Sequence, residues 1–376
     1  MSQLNYLEKL LDGVEVEWIA LRELVKTVTA PAKLKRESYR ETGKTPIIDQ
    51  GEKFITGYTD EDVKALPLGE YVIFGDHSEH IKYVDFSFIQ GADGLKILKS
   101  ISDNPKYVYY SFLNFYQKEL NYKRHWARAS ETLIPIPCPD NPEKSLAIQA
   151  EIVRVLDAFT AMTAELTAEL NMRKKQYNYY RDQLLSFEEG DVEWKALGKI
   201  AEINTGQKPS EILDTEAEFD YINAGTTRSG YCALSNCEGN TVTTPSRGQG
   251  GIGFVGYQNK SFWLGPLCYK IRSIDNKVLI NKYLFYILQS KNQLLLGLKK
   301  EGGVPAVNKS DLAKLEVPVP SVTEQERIVK ILDKFDTLTT SIQEGLPREI
   351  ELRQKQYEYY RDLLLSFPKP HSDEAA

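Results

Sequence analysis

The chain contains nearly the same helix-like segment twice. Residues 173–187 read RKKQYNYYRDQLLSF and residues 353–367 read RQKQYEYYRDLLLSF, and twelve of the fifteen positions are identical. Large apolar residues recur in each copy at alternating steps of three and four, which is the spacing of a helical packing seam. Two matching seams in one chain predict an internal repeat whose copies share a helical framework.

The repeat extends beyond this segment. Three further landmarks occur in the same order in both halves: VEWxAL at 16–21 and 192–197, alternating apolar residues and prolines at 134–137 and 317–320, and QxxIVxxLDxF at 149–159 and 325–335. The intervening regions, 22–133 and 198–316, are similar in length but share no obvious register. Constant ends with divergent middles predict two modules on a common framework, each with its own specificity.

The framework predicts long helices. Residues 146–187 contain neither Gly nor Pro, and their heptad seam runs through Ile152, Leu156, Phe159, Thr163, Leu166, Leu170, Arg173, Tyr177, Tyr180, Leu184 and Phe187. The second copy has four extra residues near Gly345 and Pro347. Proline inside a helix removes a hydrogen bond and clashes with the preceding turn, so we expect a kink or break there. The two copies are expected to pack as an antiparallel coiled coil, with the modules at opposite ends of a rod.

The two modules are predicted to be mixed α+β globules. Apolar or aromatic runs punctuated by Gly, Pro, Asn and Asp predict strands at 46–50, 70–76, 81–89, 96–100 and 107–113, and at 219–225, 250–257 and 261–271. Helical pieces are predicted at 111–120 and 281–298. The fold class is therefore α+β: two mixed globular domains joined by two long repeated helices, with an internal pseudo-two-fold repeat.

Local charge points to nucleic acid although the chain as a whole carries −6. Residues 221–314 contain 12 basic and 4 acidic residues, and residues 94–130 contain 7 basic and 2 acidic. Phosphate binding depends on such local fields more than on total charge. The alternative is that these charges cluster on a solvated face without a ligand.

Polar and basic residues in predicted loops are the candidate DNA contacts, because Arg, Asn and Gln read base edges and Lys holds phosphates. In the first module they are Lys53, Tyr58, His77, Lys123, Arg124, His125 and Arg128, and in the second Arg228, Ser246, Arg247, Gln249, Lys260, Asn308 and Lys309.

The tyrosine-rich helix segments are candidate docking surfaces for a protein partner, because Tyr and Arg are enriched in interfaces. The candidates are Tyr177, Tyr179, Tyr180, Arg181, Tyr357, Tyr359, Tyr360 and Arg361. The alternative is that these tyrosines only pack on their own helices.

The sequence offers no convincing catalytic or metal motif. It contains no G-x-x-x-x-G-K-[ST], no HExxH and no Pro-Pro dipeptide of the kind that adenine methyltransferases use. Gly248, Gly250 and Gly253 match G-x-G-x-x-G, but a strand and turn are expected after them, so we interpret the segment as a backbone loop that passes close to a ligand or as a bulged hairpin. The four cysteines lack zinc spacing, and no run approaches the ~20 apolar residues of a membrane span. The N-terminus lacks a signal-peptide pattern, so we expect a cytoplasmic protein.

The repeated order resembles the specificity subunit of type I restriction–modification systems. The resemblance rests on the twin segments and on TPIIDQGEKFITGYTDED, YKRHW, SRGQGGIGFVG and VNKSDLAKLEVPVPSVTEQERIV, and it covers nearly the whole chain. It implies target-recognition domains at 1–142 and 188–322, helical spacers at 143–187 and 323–368, and a flexible tail at 369–376.

The resemblance also implies partners and roles. Each recognition domain would read half of a split double-stranded DNA site, and the helices would set the spacer and dock two adenine-N6 methyltransferase subunits, with restriction and translocase subunits joining. The chain would hold no metal and no cofactor; S-adenosylmethionine, ATP and Mg would belong to the partner subunits. The competing hypotheses are a coiled-coil scaffold whose modules bind proteins and a self-sufficient methyltransferase or nuclease.

Overall fold

A computed structural model describes residues 11, 13–91, 93–188, 190–248, 250–300, 304–341 and 343–368. The predicted tail at 369–376 and the candidate Gln249 lie outside the described residues. The chain divides into two compact units, residues 1–165 with 350–376 (unit 1) and residues 166–349 (unit 2). Among the described residues, no helix is both long and apolar enough to cross a membrane.

Unit 1 contains a mixed module and parts of two long helices. Its strands are β1 (Val16–Ala20), β2 (Val25–Val28), β3 (Thr45–Ile48), β4 (Gly57–Thr59), β5 (Tyr71–Gly75), β6 (Ile81–Val84), β7 (Ile89–Gln90), β8 (Leu95–Ser100) and β9 (Leu133–Pro137). Its module helices are α1 (Leu21–Leu24), α2 (Pro105–Phe115) and α3 (Trp126–Ala129), with a 3₁₀ turn at Arg36–Ser38. The long helix α4 (Pro142–Leu184) begins in this unit.

Unit 2 repeats this arrangement. Its strands are β10 (Glu193–Ala196), β11 (Ala201–Thr205), β12 (Phe219–Ile222), β13 (Tyr231–Cys232), β14 (Thr241–Pro245), β15 (Gly256–Gln258), β16 (Trp263–Leu264), β17 (Cys268–Ser273) and β18 (Glu316–Val319). Its module helices are α5 (Leu197–Ile200), α6 (Asn281–Ser290), α7 (Asn292–Gly297) and α8 (Lys309–Ala313). The helix α9 (Val322–Thr340) follows, and α10 (Leu346–Leu364) begins in unit 2 and continues into unit 1.

The sheets of the two units have the same strand order. Unit 1 has an antiparallel sheet β2-β8-β5-β6, a sheet β4-β3-β7 whose β3 and β7 are parallel, and a ribbon β1-β9. Unit 2 has β11-β17-β14-β15, β13-β12-β16 and β10-β18 in the corresponding places. Even the ribbon register repeats, because Trp18 lies opposite Pro135 and Trp194 opposite Pro318. The divergent regions therefore share one topology, and the α+β prediction is confirmed.

The long helices follow their capping signals. The Asn141 side chain accepts a hydrogen bond from the Lys144 N–H (3.1 Å), and Pro142 stands at the first helical position, where its missing N–H has no cost. Ser321 caps α9 by accepting from the Glu324 N–H (3.3 Å). The helix then ends, and Gly345 has φ +91°, a conformation that side chains with a Cβ rarely adopt. The predicted break in the second copy is confirmed.

Within each unit two helices run antiparallel. In unit 1, Phe159 stacks on Tyr360 with ring centroids 5.1 Å apart, and Ile152 shares an apolar cluster with Leu364. In unit 2, Tyr180 stacks on Phe335 at 5.7 Å. The apolar stripe of α4 therefore packs against α10 in its first part and against α9 in its last part, and it is fully buried only in the first part, up to Leu156.

One segment of the first module was predicted wrongly. Residues 107–113 form most of α2 rather than a strand, and α2 ends at Phe115, halfway through the predicted helix at 111–120. In unit 2 the equivalent helix is α6, and KYVYY at 106–110 corresponds to KYLFY at 282–286, offset by 176 residues. The divergent regions thus contain a common helix in register, which the expectation of no shared register missed.

Candidate nucleic-acid interface

Two loops meet at the same place in both units. In unit 1 the carbonyl of Asp76, directly after β5, accepts a hydrogen bond from the His125 N–H (2.8 Å). In unit 2 the carbonyl of Ser246, directly after β14, accepts from the Val307 N–H (2.9 Å). In unit 1 the loop after β5 is thereby tied to the loop before α3, and in unit 2 the loop after β14 is tied to the loop before α8. We call these two tied loops the loop pair of each unit.

The loop pairs gather most of the candidate DNA contacts. In or beside them lie His77, Lys123, Arg124, His125 and Arg128 in unit 1, and Ser246, Arg247, Asn308 and Lys309 in unit 2. Lys53, Tyr58, Arg228 and Lys260 lie on other segments. Residues far apart in sequence therefore share one surface region in each unit.

A buried carboxylate braces the loop pair of unit 1. Glu79 accepts hydrogen bonds from the Tyr116 hydroxyl (2.6 Å) and from the backbone N–H groups of Glu119 and Leu120 (2.8 Å each). Burial alone would raise the pKa of Glu79, but these hydrogen bonds and nearby His125 hold the pKa below its usual value. The carboxylate therefore stays charged at neutral pH and fixes the start of the loop.

The far end of the same loop is fixed by a second buried carboxylate. The Asp76 side chain accepts from the N–H groups of His125 (3.0 Å) and Trp126 (2.8 Å), at the start of α3. Between the two braces the loop presents Leu120, which is 84% exposed, and Tyr122, which is 90% exposed. The sequence did not single out these braces or these two side chains.

The exposed tip combines aromatic and basic groups. His77 stacks on Tyr122 with ring centroids 5.3 Å apart and an interplanar angle of 20°. Lys123 pairs with Glu119 at 2.8 Å, and Arg128 also pairs with Glu119, which lowers the pKa of that carboxyl to about 2. These two cations are already neutralised in part. The exposed Arg124 has no ion pair within the described residues.

His125 does not face solvent in this conformation, and its contact with DNA stays a prediction from the sequence. Its side chain is 1% exposed, and its Nδ1 lies 3.3 Å from Glu119 and 3.5 Å from Glu79. Its Nε2 lies 2.9 Å from the Asn121 carbonyl. The equivalent residue of unit 2, Val307, is also buried. This position therefore belongs to the core of the loop pair.

Lys53 lies on a segment that a buried lysine holds in place. The Lys82 ammonium donates to the backbone carbonyls of Asp49 (2.9 Å) and Lys53 (2.6 Å), and burial lowers the pKa of Lys82 despite the nearby Asp49 carboxylate. The Lys53 side chain is exposed. Tyr58 is half-buried on β4, where its backbone pairs with Arg40.

In unit 2, Arg228 lines a cleft of about 460 Å³. Its guanidinium lies over the Tyr231 ring at 4.5 Å and 3.5 Å from Asp220. Thr227 and Gln258 also line this cleft and add hydrogen-bonding groups. A planar guanidinium held on a ring is pre-oriented for a bidentate contact.

The other candidates of unit 2 differ in accessibility. Arg247, Asn308 and Lys309 are exposed, and the Lys309 ammonium donates to the Asn204 side chain (3.0 Å). Lys260 is exposed on the turn between β15 and β16. Ser246 is buried and its backbone carbonyl ties the loop pair, and its contact with DNA stays a prediction from the sequence.

The candidate docking tyrosines repeat in both copies. Tyr177 and Tyr357 are half-buried, and Arg181 and Arg361 lie over their rings at 5.7 Å and 5.9 Å. The stacked rings Tyr180 and Tyr360 retain exposed edges, and Tyr179 is 61% and Tyr359 46% exposed. Each copy therefore presents one pair of adjacent exposed tyrosines beside an arginine.

No metal or thiol chemistry is visible in the part of the chain that the structure describes. No group of three or more His, Cys, Asp or Glu there could hold a metal ion. The four cysteines are buried and free, and burial raises the pKa of Cys268 to about 12, so its thiol is unreactive at neutral pH. Gly248, Gly250 and Gly253 lie in the loop between β14 and β15, so the next element after them is a strand and not a helix.

One module topology that occurs twice, with different loops on the same framework, defines a duplicated two-module subunit. A family model described as the type I restriction modification DNA specificity domain matches residues 13–173 and 189–352. The EcoR124I/EcoR124II specificity subunit of Escherichia coli is 44% identical and aligns over 99% of both chains. The EcoprrI specificity subunit of Escherichia coli is 35% identical over 92% of this chain and 93% of that protein.

A solved structure has the same fold. The S subunit of a type I restriction–modification system from M. genitalium aligns over 95% of this chain and 98% of its own, with a TM-score of 0.67 and 18% identity. The chain therefore belongs to the family of type I restriction–modification specificity subunits, which are non-catalytic. The resemblance predicted from the repeated segments is confirmed.

Proposed function

We propose that each module reads one half of a bipartite double-stranded DNA site. The observation that carries this proposal is the loop pair, which has the same backbone tie in both units but different side chains. A framework that repeats while its loops diverge suits two modules that each recognise a different DNA sequence. The basic block at 221–314 contains the loop pair of unit 2, and the block at 94–130 contains the loop of unit 1 that precedes α3; both would supply attraction to phosphates.

The exposed candidates suggest a division of roles. Arg124, Arg228 and Arg247 have the planar donors that match a guanine edge, and Asn308 has the amide that matches adenine. Lys53, Lys260 and Lys309 are suited to phosphate contacts. Tyr122, stacked on His77, offers an aromatic face to bases or sugars. Gln249 stays a candidate from sequence alone.

We further propose that the helices dock two adenine-N6 methyltransferase subunits, which restriction and translocase subunits join. The support is the repeated exposed pair, Tyr179–Tyr180 and Tyr359–Tyr360, which would offer the same surface twice. S-adenosylmethionine, ATP and Mg would be bound by those partners, and this chain would supply sequence recognition without a cofactor of its own.

The experiment that tests the proposal is single-molecule sequencing of methylated adenines in the host, with and without this gene. We expect one bipartite methylated motif that disappears when the gene is deleted. Exchange of residues 198–316 for the corresponding region of another family member should change one half-site and leave the other. Adenine methylation that persists at the same motif after deletion would refute the proposal.

The helix α4 is proposed to set the spacer between the half-sites. Four residues inserted between 160 and 172 add about 6 Å of helical rise, which exceeds one base step of about 3.4 Å. We expect the methylated motif to keep its half-sites and to lengthen its spacer by about one base pair. An unchanged spacer would show that α4 does not measure the distance.

A further inference from the structure

A hydrogen-bonded aspartate joins each module to its long helix, and the two copies match in position. In unit 1 the Asp157 carboxylate of α4 accepts from the Lys106 ammonium (2.7 Å) and the Tyr110 hydroxyl (2.8 Å), both on α2. In unit 2 the Asp333 carboxylate of α9 accepts from the Tyr286 hydroxyl (2.6 Å), and Lys282 lies 3.5 Å away. All three residues are offset by 176 positions. We call each set the aspartate junction.

The lysine of each junction also reaches the central sheet of its module. Lys106 lies over the ring of Tyr83 at 5.2 Å, and Lys282 lies over the ring of Tyr257 at 4.3 Å. These two tyrosines occupy equivalent positions on the edge strands β6 and β15, opposite Val72 and Val242. Sheet, module helix and long helix are thus connected through one cation in each unit.

A buried glutamine fixes the same module helix at its start. Gln149 is fully buried and accepts from the Asn104 N–H (2.8 Å), just before α2. Gln325 is fully buried and accepts from the Ile280 N–H (2.8 Å), just before α6. Each module helix is therefore held to the long helix at two points along its length. Two attachment points fix the angle between the module helix and the long helix, whereas a single point would let the module helix rotate about it.

We infer that the aspartate junctions are positioning devices that fix the angle of each module on its helix and so limit the spacer lengths that the subunit accepts. The inference rests on the proposed bipartite reading. The same lysine, tyrosine and aspartate occur in two modules whose loops have diverged, so the junction belongs to the shared framework rather than to either set of loops. Charge-assisted hydrogen bonds suit this role because their strength depends on geometry.

The test uses the full chain in complex with its methyltransferase subunits. Methylation rates are measured on duplexes that carry the motif found by methylome sequencing, with the native spacer and with spacers one base pair shorter or longer. The variants are Asp157→Asn and Asp333→Asn, with Tyr110→Phe as a milder change that removes one hydroxyl. The control is Tyr109→Phe, since the second copy already has Phe285 at this position and the Tyr109 hydroxyl has no hydrogen bond within the described residues.

The measured quantity is the methylation rate on an altered spacer divided by the rate on the native spacer. We expect this ratio to rise about tenfold in either aspartate variant, because a charged hydrogen bond is lost. In Tyr110→Phe it should rise about threefold, because only a neutral hydrogen bond is lost. The control should leave the ratio unchanged. Rates that fall equally on all spacers, or an equal rise in the control, would overturn the inference. A wild-type complex that methylates regardless of the half-sites would instead refute the proposed function, and the inference with it.

Discussion

Replacement of Glu79 by Gln should release the loop that it braces. The carboxylate accepts three hydrogen bonds, from the Tyr116 hydroxyl and from the N–H groups of Glu119 and Leu120. The amide has the shape of the carboxylate but no charge, and only one of its two terminal atoms is an oxygen that can accept a hydrogen bond. A hydrogen bond to a charged group contributes about 1.5–3 kcal/mol and one to a neutral group about 0.5–1.5 kcal/mol. Over the three hydrogen bonds, the substitution should lower the free energy of opening this loop by roughly 3 kcal/mol.

Amide hydrogen exchange measures this loss directly. A reduction of about 3 kcal/mol in the free energy of local opening accelerates exchange about 100-fold at residues 119 and 120. The same substitution at the exposed Glu52 is the matched control and should leave exchange unchanged. If exchange at residues 119 and 120 changes less than about threefold in Glu79→Gln, the brace is not what holds this loop.

The brace also predicts an acid dependence. Because the pKa of Glu79 is lowered in the folded protein, its contribution is complete above the unfolded value, near 4.5, and is lost as the pH falls through the folded value. Exchange at residues 119 and 120 should therefore accelerate below pH 4.5 beyond its intrinsic rate. Glu79→Gln should remove this additional dependence, since the amide does not titrate.

Three other substitutions test separate parts of the molecule. Gln325→Ala leaves three buried backbone groups without partners. It should therefore lower the melting temperature of unit 2 by about 6–12 °C in calorimetry. The control, Gln354→Ala on the exposed face of α10, should change the melting temperature by less than about 2 °C. Arg228→Ala should reduce the discrimination between bases in one half-site by about 10- to 100-fold and leave the other half-site unchanged, as measured by methylation of variant duplexes. An equal loss of discrimination in both half-sites would contradict its assignment. Replacement of the 61% exposed Tyr179 by Ala should weaken binding of one methyltransferase subunit, which analytical ultracentrifugation can measure; unchanged stoichiometry and affinity would exclude that surface.

The framework could be predicted from sequence because repeats and heptad spacing are local patterns. The absence of Gly and Pro over 146–187 gave α4 as one helix, and Gly345 with Pro347 gave the break. Composition misled at 107–113, since Tyr and Val favour strands. The start signal of α2 was nevertheless present, because Asn104 caps the helix and Pro105 occupies its first position.

The interface was harder to predict because burial is a tertiary property. YKRHW reads as a basic surface loop, and Lys123 and Arg124 are indeed exposed, yet His125 turns inward toward Glu79. Nothing in the local sequence marks Glu79 as a brace for residues 40 positions away. The aspartate junctions were missed for the same reason, although the 176-residue offset of KYVYY and KYLFY was visible in the sequence.

The break at Gly345 gives the two helical connections different mechanical properties. An uninterrupted helix couples rise to rotation, so four residues added to α4 advance it by about 6 Å and turn it by about 40° beyond a full turn. The helix α9 ends at Thr340 and α10 begins at Leu346. A Cβ at Gly345 would lie 2.4 Å from the Thr337 carbonyl oxygen, so another residue at this position would force the backbone to shift. Rise and rotation are therefore coupled along the whole of α4, whereas the break at Gly345 interrupts that coupling between α9 and α10.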